Sequence, residues 1–282
     1  MKTKIKFNAH LTASLFFQVL IFVVIMSIVF YKYQGTGNDF IIIDNRQNEF
    51  DKKSAKFISQ LCERRFGIGA DGLILLEHCD TTDFKMVYYN SDGRESSMCG
   101  NGGRCIVAFA HFLKMIENHC TFIAIDGIHK AEISEGIVKL QMKDVDVVNI
   151  EQSYTFLDTG SPHHVTMVDN VSHCDVQNLG REIRYGEPYG EEGTNVNFVE
   201  QLSNDTFKVR TYERGVEGET YSCGTGVTAV AIAMHANNKA DKEEINIKTQ
   251  GGNLKIDFEV RDGKYKNIWL TGPAVQLFKG EL

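Results

Sequence analysis

Two cysteines stand in the same short pattern. Cys99-Gly-Asn-Gly-Gly-Arg-Cys-Ile-Val-Ala-Phe-Ala and Cys223-Gly-Thr-Gly-Val-Thr-Ala-Val-Ala-Ile-Ala both read C-G-x-G and then run into an apolar, Ala-containing stretch. A cysteine just ahead of a helix faces backbone N–H groups that have no intrahelical partner, and the helix dipole adds positive potential there. Both effects favour thiolate, so such a cysteine can serve as a base or a nucleophile. The same N–H groups can hold a carboxylate or phosphate, and glycines after the cysteine let a ligand approach the backbone. A single free cysteine is ordinarily a small buried hydrophobe. Two in one motif argue for a pair of reactive thiols. Cys62, Cys79, Cys105, Cys120 and Cys174 lack that context and read as bystanders.

Other polar residues gather near these motifs. Glu213-Arg214-Gly215 ends a strand-like run ahead of Cys223. An arginine there could clamp a carboxylate through two parallel hydrogen bonds, or simply sit in a solvated charge pair. Asn38, Asn90, Asn101, Asn195 and Asn197 lie in or beside Gly-rich turns. Each alone is explained by turn geometry; together they suit an amino acid's polar groups. His163 and His164 follow Pro162, and adjacent histidines on a strand point to opposite faces, a poor metal pair. One could still tune a neighbouring cysteine. Gly67–Gly72 spells G-x-G-x-x-G, but a helix precedes it and a strand follows, the reverse of a dinucleotide fingerprint.

The elements that must position these groups occur twice. The cysteines at 99 and 223 are 124 residues apart, and the Thr-Gly pairs at 36 and 159 are 123 apart. A period this long means two homologous halves. They are expected at 27–144 with 269–282, and at 145–268, the last strand returning to the first half. Residues 40–45, 73–77, 84–90, 121–126, 137–143, 196–200 and 207–213 read as strands, 27–33 as the first of them, and 54–65 as a surface helix. Residues 104–116 and 227–236 are apolar on nearly every side, and a helix apolar all round is buried all round. The expected fold is therefore α/β: two pseudo-symmetric halves, each a curled mixed or antiparallel sheet around a central buried helix whose cysteine emerges at one end.

Composition agrees with a globular protein of this size. The chain has 282 residues, 43% hydrophobic and 24% charged, with 30 Lys plus Arg against 37 Asp plus Glu for a net charge of −7. A mildly acidic chain without a basic run is a poor nucleic-acid binder. Seven cysteines at irregular spacing, none in C-x-x-C, do not form a disulfide framework or a zinc ribbon; a reducing compartment, the cytoplasm, is the simpler setting. Residues 11–30 carry no charge. With the first strand starting near Ser27, residues 11–26 fall short of the about 20 that a spanning helix needs. Residues 1–26 are accordingly read as an extension outside the fold, with Met26 a candidate start; a membrane anchor and a secretory signal are the alternatives.

The segments at 35–40, 88–105, 159–165, 195–199 and 212–226 resemble the diaminopimelate epimerase family, and the resemblance runs from about Tyr31 to the C-terminus. It implies a cofactor-independent amino-acid epimerase, without metal or pyridoxal phosphate, interconverting LL- and meso-2,6-diaminopimelate for lysine and peptidoglycan precursor synthesis. It implies Cys99 and Cys223 as the two bases. His163 and Glu213 match groups that influence their ionisation. Asn38, Asn90, Gly100, Asn101, Asn195, Glu213, Arg214, Gly224 and Thr225 match substrate contacts. Relatives imply a homodimer. Three features depart from the family's usual pattern: Gly72 stands where many members have Gln, Ser161 where many have Asn, and the 215–220 segment is one residue longer. A proline racemase-like enzyme of the same fold is the nearest rival. A non-catalytic amino-acid-binding protein and a thiol-disulfide oxidoreductase are further ones.

Overall fold

The computed structural model describes residues 27–96 and 98–282. The expected extension at 1–26 lies outside them. Among the described residues no helix is long and apolar enough to cross a membrane.

The first half runs β1 (Val29–Gly35), β2 (Asn38–Asp44), α1 (Ala55–Cys62), β3 (Gly72–Glu77), β4 (Phe84–Asn90), α2 (Gly100–Phe112), β5 (His119–Ala124), β6 (Gly127–Ser134) and β7 (Ile137–Gln141). A short β8 (Val148–Ile150) follows. The second half repeats the series with β9 (Thr155–Asp158), β10 (Pro162–Met167), a 3₁₀ turn at Val171–His173, α3 (Val176–Tyr185), β11 (Asn195–Ser203), β12 (Thr206–Glu213), the added hairpin strand β13 (Gly218–Thr220), α4 (Gly224–Ala236), β14 (Glu244–Thr249), β15 (Gly252–Arg261) and β16 (Lys264–Pro273). β17 (Val275–Glu281) ends the chain.

Pairing repeats with the elements. β1–β2, β3–β4, β5–β6 and β6–β7 are antiparallel, while β2–β3 and β4–β5 are parallel. The counterparts β9–β10, β11–β12, β14–β15 and β15–β16 are antiparallel, and β10–β11 and β12–β14 parallel. β7 and β16 join the halves edge to edge. The last strand of each series then crosses over. β8 follows the first half but pairs with β9, and β17 follows the second half but pairs with β1. The crossing strand is thus β17, and the expected division between 268 and 269 falls inside the continuous β16.

Alternation explains the two faces. In β2, β3 and β4, Phe40, Ile42, Ile74, Leu76, Phe84 and Met86 point inward onto α2, while Ile41, Ile43, Leu73, Leu75 and Val87 point outward under α1. Ser54 caps α1 by accepting from the Phe57 N–H at 3.2 Å, and Asp175 caps α3 in the matching place. The strands with both faces covered read as continuous apolar runs for that reason. α2 and α4 each thread the middle of their own sheet. Residues 100–110 of α2 and nearly every residue of α4 up to Met234 are buried. Both helices begin earlier than apolarity alone indicates, at Gly100 and Gly224 rather than near 104 and 227. The glycines admit the close approach of the strands: a Cβ at Gly103 would lie 2.9 Å from Leu140 Cδ2.

Candidate active site

Cys99 and Cys223 are the N-cap residues of α2 and α4, with extended backbone and no side-chain cap bond. The helices meet nose to nose. A Cβ built on Gly224 would stand 3.2 Å from the Gly100 Cα, and one on Gly100 3.4 Å from the Gly224 Cα. Two thiols and two sets of free backbone N–H groups therefore converge at the junction of the halves.

Cys99 belongs to a network from the first half. Its Sγ lies 3.5 Å from Asn38 Oδ1, which also accepts from Asn101 Nδ2 at 3.3 Å. Asn38 Nδ2 donates to Asp71 Oδ2 at 2.6 Å. Asn101 Nδ2 also donates to the Ser222 carbonyl at 2.8 Å, so the residue before Cys223 is tied to the first helix. Asp71 and Asp39 share Arg64, and Asp39 pairs with the buried Lys32 at 2.8 Å. This ion cluster braces the strand end that carries Asn38.

Cys223 belongs to a network from the second half. Its Sγ lies 3.4 Å from Thr225 Oγ1, and Thr225 Oγ1 lies 3.0 Å from His163 Nε2. Asn197 fixes the imidazole. The Asn197 Oδ1 accepts from Thr211 Oγ1 at 3.0 Å, so its Nδ2 donates to His163 Nδ1 at 3.1 Å. His163 Nε2 then carries the proton and donates to Thr225, leaving the Thr225 hydroxyl proton free to point at the thiol. Burial, with Arg214 as a second cause, pushes His163 down to about 3, and it is neutral. The role of Asn197 is one the sequence reading missed; only the buried side-chain bonds reveal it.

Glu213 is half-buried beside Cys223. Burial raises its pKa, while hydrogen bonds from Thr220 and the Cys223 thiol pull the other way. The thiols differ from the expectation of a low pKa. Burial pushes both up and outweighs the N–H groups of Asn101 and Gly102 at Cys99, and the Thr225 hydroxyl and Gly226 N–H at Cys223. Glu213 raises both further, and a charge on Cys99 opposes ionisation of Cys223. The site therefore favours one thiolate over two.

The remaining predicted residues are placed as follows. Gly100, Gly224 and Thr225 supply the first turns of the two helices. Asn90 ends β4 with its side chain exposed. Asn195 is occupied structurally: Nδ2 donates to Ser161 Oγ at 2.8 Å and to the Pro162 carbonyl, and Oδ1 accepts from the Arg214 N–H at 3.0 Å. Ser161 thus holds Asn195. The Arg214 side chain is exposed and donates to the Glu192 carbonyl at 2.9 Å. Gly72 can carry no side chain, because a Cβ would lie 2.5 Å from Tyr88 Cε2 and from the Tyr89 carbonyl oxygen. The Tyr88 ring fills that space. His164 faces away from the thiols, its Nδ1 bonded to the Tyr189 hydroxyl at 2.9 Å, as alternation requires. Among the described residues no cluster of His, Cys, Asp or Glu could hold a metal ion.

This architecture is that of the phenazine-biosynthesis PhzF and proline racemase-like proteins. A PhzF-family protein from Bacillus anthracis superposes with a TM-score of 0.72 at 14% identity, covering 91% of this chain and 99% of its own. A hydroxyproline epimerase from Agrobacterium vitis superposes at 0.67 with 12% identity, covering 91% and 92%. Within that fold the sequence pattern of the diaminopimelate epimerase family matches residues 30–150 and 155–277, one segment per half. Diaminopimelate epimerase of Flavobacterium psychrophilum is 60% identical over 88% of this chain and 98% of its own length; that of Aquifex aeolicus is 41% identical over 90% and 97%. The chain belongs to the diaminopimelate epimerase family.

Proposed function

We propose that this protein interconverts LL- and meso-2,6-diaminopimelate by taking the α-proton onto one cysteine and returning a proton from the other. The observation that carries the reading is the abutting pair of helix N-termini, each capped by a cysteine. An α-carbon held between them has an acid or base on each face. One thiolate removes the proton, and the opposite thiol returns one, which inverts the centre. The pair's ionisations are coupled, so apparent pKa values belong to the pair.

The backbone N–H groups of both first turns bind the reacting carboxylate and stabilise the charge that builds on it as the proton leaves. Asn38 and Asn101 position Cys99. His163 acts through Thr225 on Cys223, so it is a positioning residue. Glu213 holds the Cys223 thiol protonated until the carbanion takes its proton. Arg214 and Asn90, both exposed, suit the distal carboxylate and amine of a diamino dicarboxylic acid. A compact apolar ring such as proline would leave them unused. A homodimer in the cytoplasm belongs to the same reading, and sedimentation of the purified protein tests the dimer.

The test is α-proton exchange in D₂O under reductant. LL- and meso-diaminopimelate should exchange and invert, and proline should not. Cys99→Ser and Cys223→Ser should each lower turnover by at least about 10²-fold, the scale of a lost general acid or base, with unchanged circular dichroism. Full activity in either variant would sink the two-thiol scheme. Turnover of proline alone would move the substrate to the rival class.

A further inference from the structure

Tyr88 carries a hydroxyl for which the fold supplies no partner. The residue stands on β4, on the face that alternation turns inward with Phe84, Met86 and Asn90. Its half-buried ring packs against the inner core beside Met98 and Cys99 and meets Phe40 edge-on, with centroids 6.0 Å apart at 76°. The ring leans along the strand across Gly72, where a Cβ would lie 2.5 Å from Tyr88 Cε2 and 3.0 Å from its hydroxyl oxygen. Gly72 pairs with Asn90 on one side and with Phe40 on the other. The hydroxyl therefore sits over the sheet end that carries Asn38 and Asn90. A residue without a side chain at 72 is what gives the ring room to reach it.

A ring needed only to fill this space would need no oxygen. A buried tyrosine ordinarily finds a partner for its O–H. Tyr33 donates to Gln276 Oε1 at 3.0 Å, Tyr212 donates to Glu217 Oε2 at 3.3 Å, and the Tyr265 hydroxyl lies 3.0 Å from His235 Nδ1. Among the described residues the Tyr88 hydroxyl has no such bond. Burial, and then the charges of Cys99, Asp71 and Glu213, raise its pKa, so it stays a phenol at neutral pH. Those three neighbours fix its setting. Cys99 caps α2, Asp71 holds Asn38, and Glu213 comes from β12 in the other half. The hydroxyl thus lies within reach of both halves, at the junction where the thiols meet. All three neighbours are acids. A neutral oxygen among acidic groups repels a carboxylate and favours a cation, and its lone pairs can accept from one.

We infer that Tyr88 is a substrate-binding residue, its hydroxyl accepting a hydrogen bond from an ammonium group of the diamino acid. The inference rests on the reading of the substrate given above.

The experiment compares the wild type with Tyr88→Phe, which keeps the ring and removes only the oxygen. KM for LL- and meso-diaminopimelate should rise about ten- to a hundredfold, the ratio that a hydrogen bond to a charged group supplies, with kcat within about threefold of wild type. The melting temperature should hold or rise, because no protein partner is lost. Pimelate keeps both carboxylates and lacks both amines, so its competitive inhibition constant should be the same for the two proteins. An inactive wild type overturns the substrate reading and the inference together. An active wild type with an unmoved KM in Tyr88→Phe overturns the inference alone. A lowered melting temperature with the loss confined to kcat would make the hydroxyl structural and overturn it as well. So would an inhibition constant for pimelate that rises in step with KM, because the hydroxyl would then meet a carboxylate.

Discussion

The thiol pair shows how single residues compete in this site. Helix N-termini pull the two cysteines toward thiolate, and burial pushes them back. Burial wins at both, so the charge balance around them decides which sulfur ionises. The same competition runs at Asp39 with the opposite result. Burial alone would raise its carboxyl, but hydrogen bonds from Arg64 and Lys32 hold it far below the usual range. A depressed carboxylate contributes stability that is fully present above its unfolded value of about 3.9 and is lost as pH falls through the folded value. Asp39→Asn leaves Lys32, only 4% exposed, without its anion. It should destabilise the protein by about 3 kcal/mol at pH 7. Urea unfolding checks this, and the gap between variant and wild type should narrow below about pH 4. A gap independent of pH would mean the carboxylate's charge is not what matters. Asp39 adjoins Asn38, so turnover should fall with it.

At the scale of elements, α2 and α4 place the chemistry and the sheets hold them. Each helix is buried on all sides, so it cannot slide without opening its sheet. The nose-to-nose contact at Gly100 and Gly224 sets the separation of the thiols. Gly224→Ala puts a methyl 3.2 Å from the Gly100 Cα and from Leu270 Cδ2. Backbone on one side and a buried strand on the other leave it little room. The variant should lose about 1–3 kcal/mol of stability, the range of modest overpacking, and kcat should fall at least about tenfold because reacting groups are moved apart. Thermal melting with steady-state kinetics checks both. Wild-type kcat would show that the helix contact does not set the thiol geometry. Much of this level was legible beforehand. The strands and the surface helix sit where the apolar pattern of the sequence put them, within a few residues. The central helices were found by their apolarity but begin earlier, because glycines in a first turn carry no hydrophobic signal.

Across the whole molecule, the halves are not independent bodies. β7 pairs with β16, β8 crosses to the second half, and β17 crosses to the first. Neither half keeps its full sheet without the other's strand. The protein should therefore unfold in one cooperative transition. Calorimetric and van't Hoff enthalpies should agree, and the midpoint should be the same by near- and far-ultraviolet circular dichroism. Two resolved transitions would show that the exchanged strands do not couple the halves.

The sequence by itself determined the duplicated α/β plan, the two cysteines, and most of the surrounding polar set, because those features live in spacing and local pattern. Tertiary structure decided how they are used. It placed Asn195 as a brace, let Tyr88 fill the space above Gly72, and turned His163 toward Thr225 with Asn197 fixing its tautomer. It also sealed Arg104 among neutral acceptors. At Gly72 the reason is steric; for the other three it is common. Whether a polar group is free, spent or uncompensated depends on which partners share its low-dielectric surroundings, and several of those partners stand far off along the chain. Pro273, for example, comes to Arg104 across 169 residues.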